Sequence, residues 1–198
     1  MKVIGITGGV GSGKSALLEY IGRNYKCRII LADEAAHKVK EPGQPCYEKL
    51  VSLLSSEILN EDGTIHKGKM AARIFESKEL LAKVNQIIHP AVKEMILEEI
   101  AKAEKEEKVD FFFLEAALLI ECGYLNLVDE MWYIYAGEEV RRKRLGASRN
   151  YSDEKIDAIM KAQLSEDGFR EHCNVIIDNS GELKEAYRQI DKKLGEYL

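Results

Sequence analysis

A chain of 198 residues with 45% hydrophobic and 32% charged side chains, 3 prolines and a formal charge of -5 is large enough for one α/β domain with a smaller insert, and its composition excludes disordered and collagen-like classes. The acidic balance argues against a general nucleic-acid binder, because a phosphate backbone selects a basic face. Four cysteines, Cys27, Cys46, Cys122 and Cys173, lie far apart with no C-x-x-C pair and no apolar run approaches a signal-peptide core or membrane helix, so reduced thiols in the cytoplasm are expected.

The first apolar run, Lys2–Thr7, reads as a strand and leads into Gly8-Gly9-Val10-Gly11-Ser12-Gly13-Lys14-Ser15. Gly8, four free positions and then Gly13-Lys14-Ser15 spell a phosphate-binding P-loop in a strand-to-helix setting. Glycines permit positive φ, so successive N–H groups converge on phosphate oxygens. Lys14 is placed to reach the β/γ-phosphates, Ser15 offers a hydroxyl to Mg²⁺, and a helix opening near Lys14 adds its positive dipole end. The dinucleotide pattern G-x-G-x-x-G does not fit.

Cys27–Leu31 is the second strand signal, followed by Asp33. An acid just after a strand reads either as a helix N-cap or as a working carboxylate at the sheet edge. The turn Glu41-Pro42-Gly43-Gln44-Pro45 then opens a stretch without convincing strands, interrupted by Asn60-Glu61-Asp62-Gly63. Helices are expected over 47–55, 69–75, 78–88 and 90–108, with Pro90 as an early helical residue after His89.

Strand signals return at 109–114, 131–135 and 175–177, each followed by helical patterning, which predicts a parallel sheet covered by helices. Residues 138–149 carry Arg141, Arg142, Lys143, Arg144 and Arg149. The first three read as an exposed basic helix. Arg144 and Arg149 precede a turn-like segment and read as part of a lid near 140–170 that closes on phosphates, as an arginine finger does. In the last helix Leu183, Tyr187, Ile190 and Leu194 recur at helical spacing and form a packing face.

Further stretches line up in order: Ala32-Asp33, Glu41-Pro42-Gly43, Asp62-Gly63-Thr64, Arg73-Ile74-Phe75, His89-Pro90, Leu118-Leu119-Ile120-Glu121, Lys143-Arg144-Leu145, Arg149, Ala162-Gln163 and Val175 through Gly181. Together with the P-loop, they resemble the dephospho-CoA kinases nearly end to end. The resemblance implies a three-layer α/β P-loop kinase fold with a five-stranded parallel sheet. Residues 1–40 and 109–198 would form the core with its lid, and 41–108 a helical acceptor-binding insertion. It also implies ATP- and Mg²⁺-dependent phosphorylation of the ribose 3′-hydroxyl of dephospho-CoA, with no nucleic-acid or membrane partner.

Carried over residue by residue, the resemblance makes Asp33 the general base beside the acceptor, with Lys14, Arg144 and Arg149 as the other catalytic groups. Gly8, Gly9, Gly11, Ser12, Gly13, Lys14, Ser15 and Ala16 hold the nucleotide, Asn179 lies near adenine and Ser15 binds the metal. Arg73 and His89 contact the acceptor, although His89 reads equally as a buried helix-junction residue. Gln163 matches a family position without an assigned chemistry. Leu31 stands where a first Asp is common, His37 where Arg is usual, Ala117 in place of Pro and Ala16 in place of Thr. These departures keep open a related kinase with a nucleoside or nucleotide acceptor. A GTP-dependent switch is the remaining class, and the absence of an Asn-Lys-x-Asp motif opposes it.

Overall fold

The glycine-rich run leaves the end of β1 (Lys2–Thr7), the middle strand of a five-stranded sheet in the computed structural model, whose strand order is β2-β3-β1-β4-β5. The structure describes residues 1–75, 77–116, 119–120 and 123–198. Ala117, Leu118, Glu121 and Cys122, which entered the sequence reading, lie outside the described residues.

β1 pairs in parallel with β3 (Phe111–Glu115) on one side and β4 (Glu130–Tyr135) on the other, and β4 pairs in parallel with β5 (Val175–Asp178). β2 is Cys27–Leu31. Phe111, Phe112, Phe113 and Leu114 are all buried, the continuous apolar signature of a strand covered on both faces. The chain moves first to the β3 side of β1 and later to the β4 side, so the loop after β1 sits at a topological switch point, where open α/β sheets bind ligands.

The described chain divides into two compact units, Met1–Ile29 with Ala103–Leu198, and Ile30–Lys102. In the first, α1 (Lys14–Asn24) buries Leu17, Leu18 and Ile21. α6 (Glu138–Arg149), α7 (Asp153–Lys161) and α8 (Glu166–His172) follow β4. Ser152 and Ser165 cap α7 and α8 by accepting from Lys155 N–H and Gly168 N–H. The last helix, α9 (Leu183–Gly195), buries Ala186, Ile190 and Leu194. Ile190 and Leu194 of the expected packing face are buried and Tyr187 is half-buried, stacked on Tyr20, whereas Leu183, at the first helical position, stays 41% exposed and Ala186 joins the buried face.

The Ile30–Lys102 unit holds α2 (Ala32–Lys38), α3 (Pro45–Leu54), α4 (Lys67–Phe75) and most of α5 (Lys78–Glu106). Among the described residues here the β pairing outside the sheet is one isolated bridge, Leu59 to Ile65, around a turn in which Thr64 N–H donates to Asp62 Oδ1 at 2.9 Å. Cys46, Leu50 and Leu54 recur every four residues as the buried face of α3. The two helices expected at 78–88 and 90–108 are one helix of 29 residues with Pro90 inside it. Proline removes one main-chain hydrogen bond, but the long run of good helix formers on both sides carries the helix across the gap.

Burial raises the pKa of all three described cysteine thiols, which are free: Cys27, Cys46 and, to about 12, Cys173.

Candidate active site

Gly13 caps α1 with φ +89, a left-handed conformation unfavourable for any side chain, and a Cβ there would land on Asn179 Nδ2. Glycine is thus required twice at this position, by torsion and by space. No side chain caps the helix, so its first N–H groups face outward at its positive dipole end, the arrangement that binds anions. Lys14 Nζ donates to Gly8 O at 2.7 Å and lies 3.6 Å from Glu115 Oε1 at the end of β3, with 12% and 15% of the two side chains exposed. Water screens such a pair poorly, so the loop carries a strong, positioned cation.

The loop is braced from α6 and from the segment after α7. Arg141 Nε donates to Val10 O at 2.9 Å, Val10 N–H donates to Gln163 Oε1 at 3.0 Å, and Arg141 Nη2 donates to the same oxygen at 3.0 Å. Both polar groups of Val10 and the Arg141 fork are therefore satisfied in one closed ring. Burial pushes the Arg141 guanidinium pKa down, opposed by Tyr133, Glu138 and Glu166, and the group remains a cation. Three positions along α6, Arg144 repeats the motif: Nη1 donates to Ser12 O at 3.4 Å and Nη2 to Asn179 O at 2.8 Å. Asn179 Nδ2 donates to Ser12 O at 2.7 Å from a side chain only 1% exposed. Thr7 Oγ1, Ser12 Oγ and Asn179 Oδ1 are buried with no hydrogen-bond partner among the described residues.

Gly8, Gly9, Gly11, Ser12, Gly13, Lys14, Ser15 and Ala16 are thus contiguous at one loop, with Arg144 and Asn179 packed on it. Arg149 ends α6, exposed, with its guanidinium 5.9 Å from the Tyr151 ring centroid. Arg142 pairs with Glu138 at 2.8 Å and with Asp157 of α7 at 2.5 Å. Arg141 departs from the exposed reading because its side chain turns inward onto Val10.

Asp33, Arg73 and His89 belong to the Ile30–Lys102 unit, on α2, α4 and α5, and each is exposed. Asp33 is not an N-cap: Leu31 holds that position and the helix opens at Ala32, leaving the carboxylate in the first turn. His89 is neither buried nor at a junction, because α5 runs through it.

Of this constellation, sequence reasoning missed Glu115, read Arg141 as part of an exposed basic helix and named Gln163 without a chemistry. Glu115 had a readable signal, an acid closing the apolar run Phe111 to Leu114 in the place where P-loop enzymes carry their second acidic residue. The bracing roles of Arg141 and Gln163 had none, since their partner is a main-chain peptide 131 and 153 residues away.

A family model described as dephospho-CoA kinase matches residues 2–185. The dephospho-CoA kinase of Carboxydothermus hydrogenoformans is 36% identical over 193 residues, covering 96% of this chain and 91% of that protein. A crystal structure from Thermus thermophilus superimposes with a TM-score of 0.81 at 26% identity, covering 98% of this chain and 97% of the other. The dephospho-CoA kinase from Campylobacter jejuni gives a TM-score of 0.74 at 26% identity, with 98% and 96% covered.

Proposed function

The chain belongs to the dephospho-CoA kinase family, and from that premise we propose how its own residues divide the work. The reaction is the last step of coenzyme A synthesis, in which ATP phosphorylates dephospho-CoA. The finer assignments start from one observation, the Lys14 ammonium held over the loop by Gly8 O and Glu115. The N–H groups of Gly11, Gly13 and Lys14 line the β- and γ-phosphates, with Ser12, whose N–H donates to Gly9 O at 3.1 Å, closing the turn between them, and Lys14 neutralises the charge that spreads over the transferred oxygens. Gly8, Gly9 and Ala16 shape the loop. A Cβ at Gly9 would push the Arg141 guanidinium off the loop.

The Ile30–Lys102 unit presents the acceptor. Asp33, two residues beyond β2, orients the ribose 3′-hydroxyl and takes its proton as the 3′-oxygen bonds to the γ-phosphorus and the bridge to the β-phosphate breaks, releasing ADP. Arg73 and His89 contact the acceptor. Arg144 and Arg149 supply positive charge from the lid formed by α6 and α7, and Asn179 fixes the turn on which adenine rests.

The donor set for Mg²⁺ fits: Ser15 offers an exposed hydroxyl in the first turn of α1 and Glu115 a carboxylate at the neighbouring strand end, both hard oxygen ligands. Bound there, Mg²⁺ would neutralise charge on the β- and γ-phosphates. No helix among the described residues is long and apolar enough to cross a membrane.

Turnover of purified protein with ATP and Mg²⁺ over a panel of acceptors tests the reading. Dephospho-CoA should exceed adenosine and AMP in kcat/KM by more than tenfold. Equal use of the three would defeat it.

A further inference from the structure

β5 is the outer strand beside β4, so alternate residues along it turn their N–H and C=O groups away from the sheet, where no strand receives them. At Asp178, the last residue of β5, a side chain takes the place of the missing strand. Gln189 Oε1 accepts from Asp178 N–H at 2.9 Å and Gln189 Nε2 donates to Asp178 O at 2.9 Å. The same amide nitrogen also donates within α9, to Glu185 O at 3.3 Å. Ala186 and Ile190 bury the neighbouring face of α9, so the half-buried Gln189 projects from a seated helix. The two residues after Asp178 are tied from other directions. Asn179 N–H donates to Tyr135 O at 2.8 Å, its side-chain amide donates to Ser12 O at 2.7 Å, and its carbonyl accepts from Arg144 at 2.8 Å. Ser180 N–H donates to the Asp178 carboxylate at 2.8 Å, and Ser180 Oγ accepts at 3.0 Å from the N–H of Gly137, where α6 begins. All of these groups belong to the unit formed by Met1–Ile29 and Ala103–Leu198.

Resting on the reading above that adenine lies on this turn, we infer that Gln189 and Ser180 are positioning residues for the base half of ATP. Neither acts by touching the nucleotide. Gln189 fixes the Asp178 peptide against α9 and Ser180 fixes the turn against α6, so Asn179 between them is held from both sides in the orientation that meets Ser12 and Arg144. A turn ordered in advance removes a cost that base binding would otherwise carry. Only an amide side chain offers an acceptor and a donor side by side, as a neighbouring strand would, whereas a carboxylate lacks the donor and a thioether lacks both strong groups. The phosphate half of the nucleotide has its own supports, the ring of Arg141 and Gln163 around Val10 and the Lys14 ammonium on Gly8 O. Loosening the turn should therefore weaken one half of ATP and spare the other.

The test is steady-state kinetics on the full chain with ATP, Mg²⁺ and dephospho-CoA, with inorganic tripolyphosphate as a competitive probe of the phosphate half alone. Gln189→Met keeps length and volume and removes both bonds to Asp178. It should raise the KM for ATP about three- to tenfold while kcat, the KM for dephospho-CoA and the inhibition constant of tripolyphosphate each stay within about twofold. Ser180→Ala leaves the Gly137 N–H without its acceptor and should give the same split. It decides the matter if Gln189→Met does not fold. A folded variant whose KM for ATP stays within about twofold, or whose tripolyphosphate inhibition weakens in step as general loosening would produce, would overturn the positioning assignment alone. An unsubstituted protein that does not phosphorylate dephospho-CoA, or that binds ATP no more tightly than tripolyphosphate and so holds no base, would overturn the functional reading beneath it.

Discussion

Lys14 and Asp33 carry the two halves of the proposed chemistry, and their substitutions should separate. Lys14→Ala removes a 12%-exposed cation from the phosphate loop, and kcat/KM for ATP should fall by about 10²–10³ with weaker ATP binding in titration. Asp33→Asn keeps size and removes the proton acceptor, so kcat should fall by about 10²–10⁴ while ATP affinity holds. Near-normal turnover would remove Asp33 from the mechanism. Gln163→Ala leaves the Val10 N–H and part of the Arg141 fork without partners, at a cost of about 1–3 kcal/mol in a denaturant melt. Its signature is a raised KM for ATP, since the loop loses a brace rather than a reacting group. The loop was legible because eight neighbouring residues spell it and torsion dictates its glycines. The ring around Val10 was not, because side chains that bond to a main-chain peptide leave no pattern of residue types.

At the scale of elements, apolar runs predicted all five strands, with β1 and β2 at their expected bounds, β4 and β5 longer by one residue, and β3 beginning two residues and ending one residue later than expected. Strand ends follow hydrogen-bond register, which neighbours rather than local sequence determine. The error in α5 came from treating Pro90 as a punctuation mark. Proline in a helix interior costs about 3 kcal/mol relative to alanine, and a helix of 29 residues absorbs that loss. Pro90→Ala should therefore restore one main-chain bond and raise the thermal midpoint of the protein by several degrees. A lower midpoint would mean that the helix needs the irregularity for its packing. α9 gives the complementary lesson: the period placed Ile190 and Leu194 in the core, while Leu183 in the first turn lies exposed and Ala186, passed over by a pattern of large apolar residues, is buried.

Across the whole molecule, the sheet is tied to the carboxyl-terminal end of the chain through Glu130. The Trp132 indole N–H donates to its carboxylate at 2.9 Å and the Tyr197 hydroxyl at 2.5 Å, with the Lys193 ammonium 3.7 Å away. Burial alone would raise this acid, but the two hydrogen bonds and the Lys193 and Lys2 charges together hold it below its ordinary value of 4.5. A carboxylate depressed in the folded state adds stability above the unfolded value and loses it as pH falls through the folded one. Urea melts should therefore show stability falling as pH drops below about 4.5, and Glu130→Gln should flatten that fall while costing on the order of 1–2 kcal/mol at pH 7. An unchanged acid limb would assign the fall to other groups.

The three described cysteines, Cys46 buried and Cys27 and Cys173 half-buried, acquire a meaning from the molecule this enzyme makes. Coenzyme A ends in a reactive sulfhydryl, and any nearby thiolate would exchange with its oxidised form. Cys27, Cys46 and Cys173 are kept protonated by burial at neutral pH, and a protonated sulfur is a poor attacking group. Mass spectrometry after incubation with coenzyme A disulfide should find these three unmodified, so that the catalyst handles a thiol without becoming bonded to it.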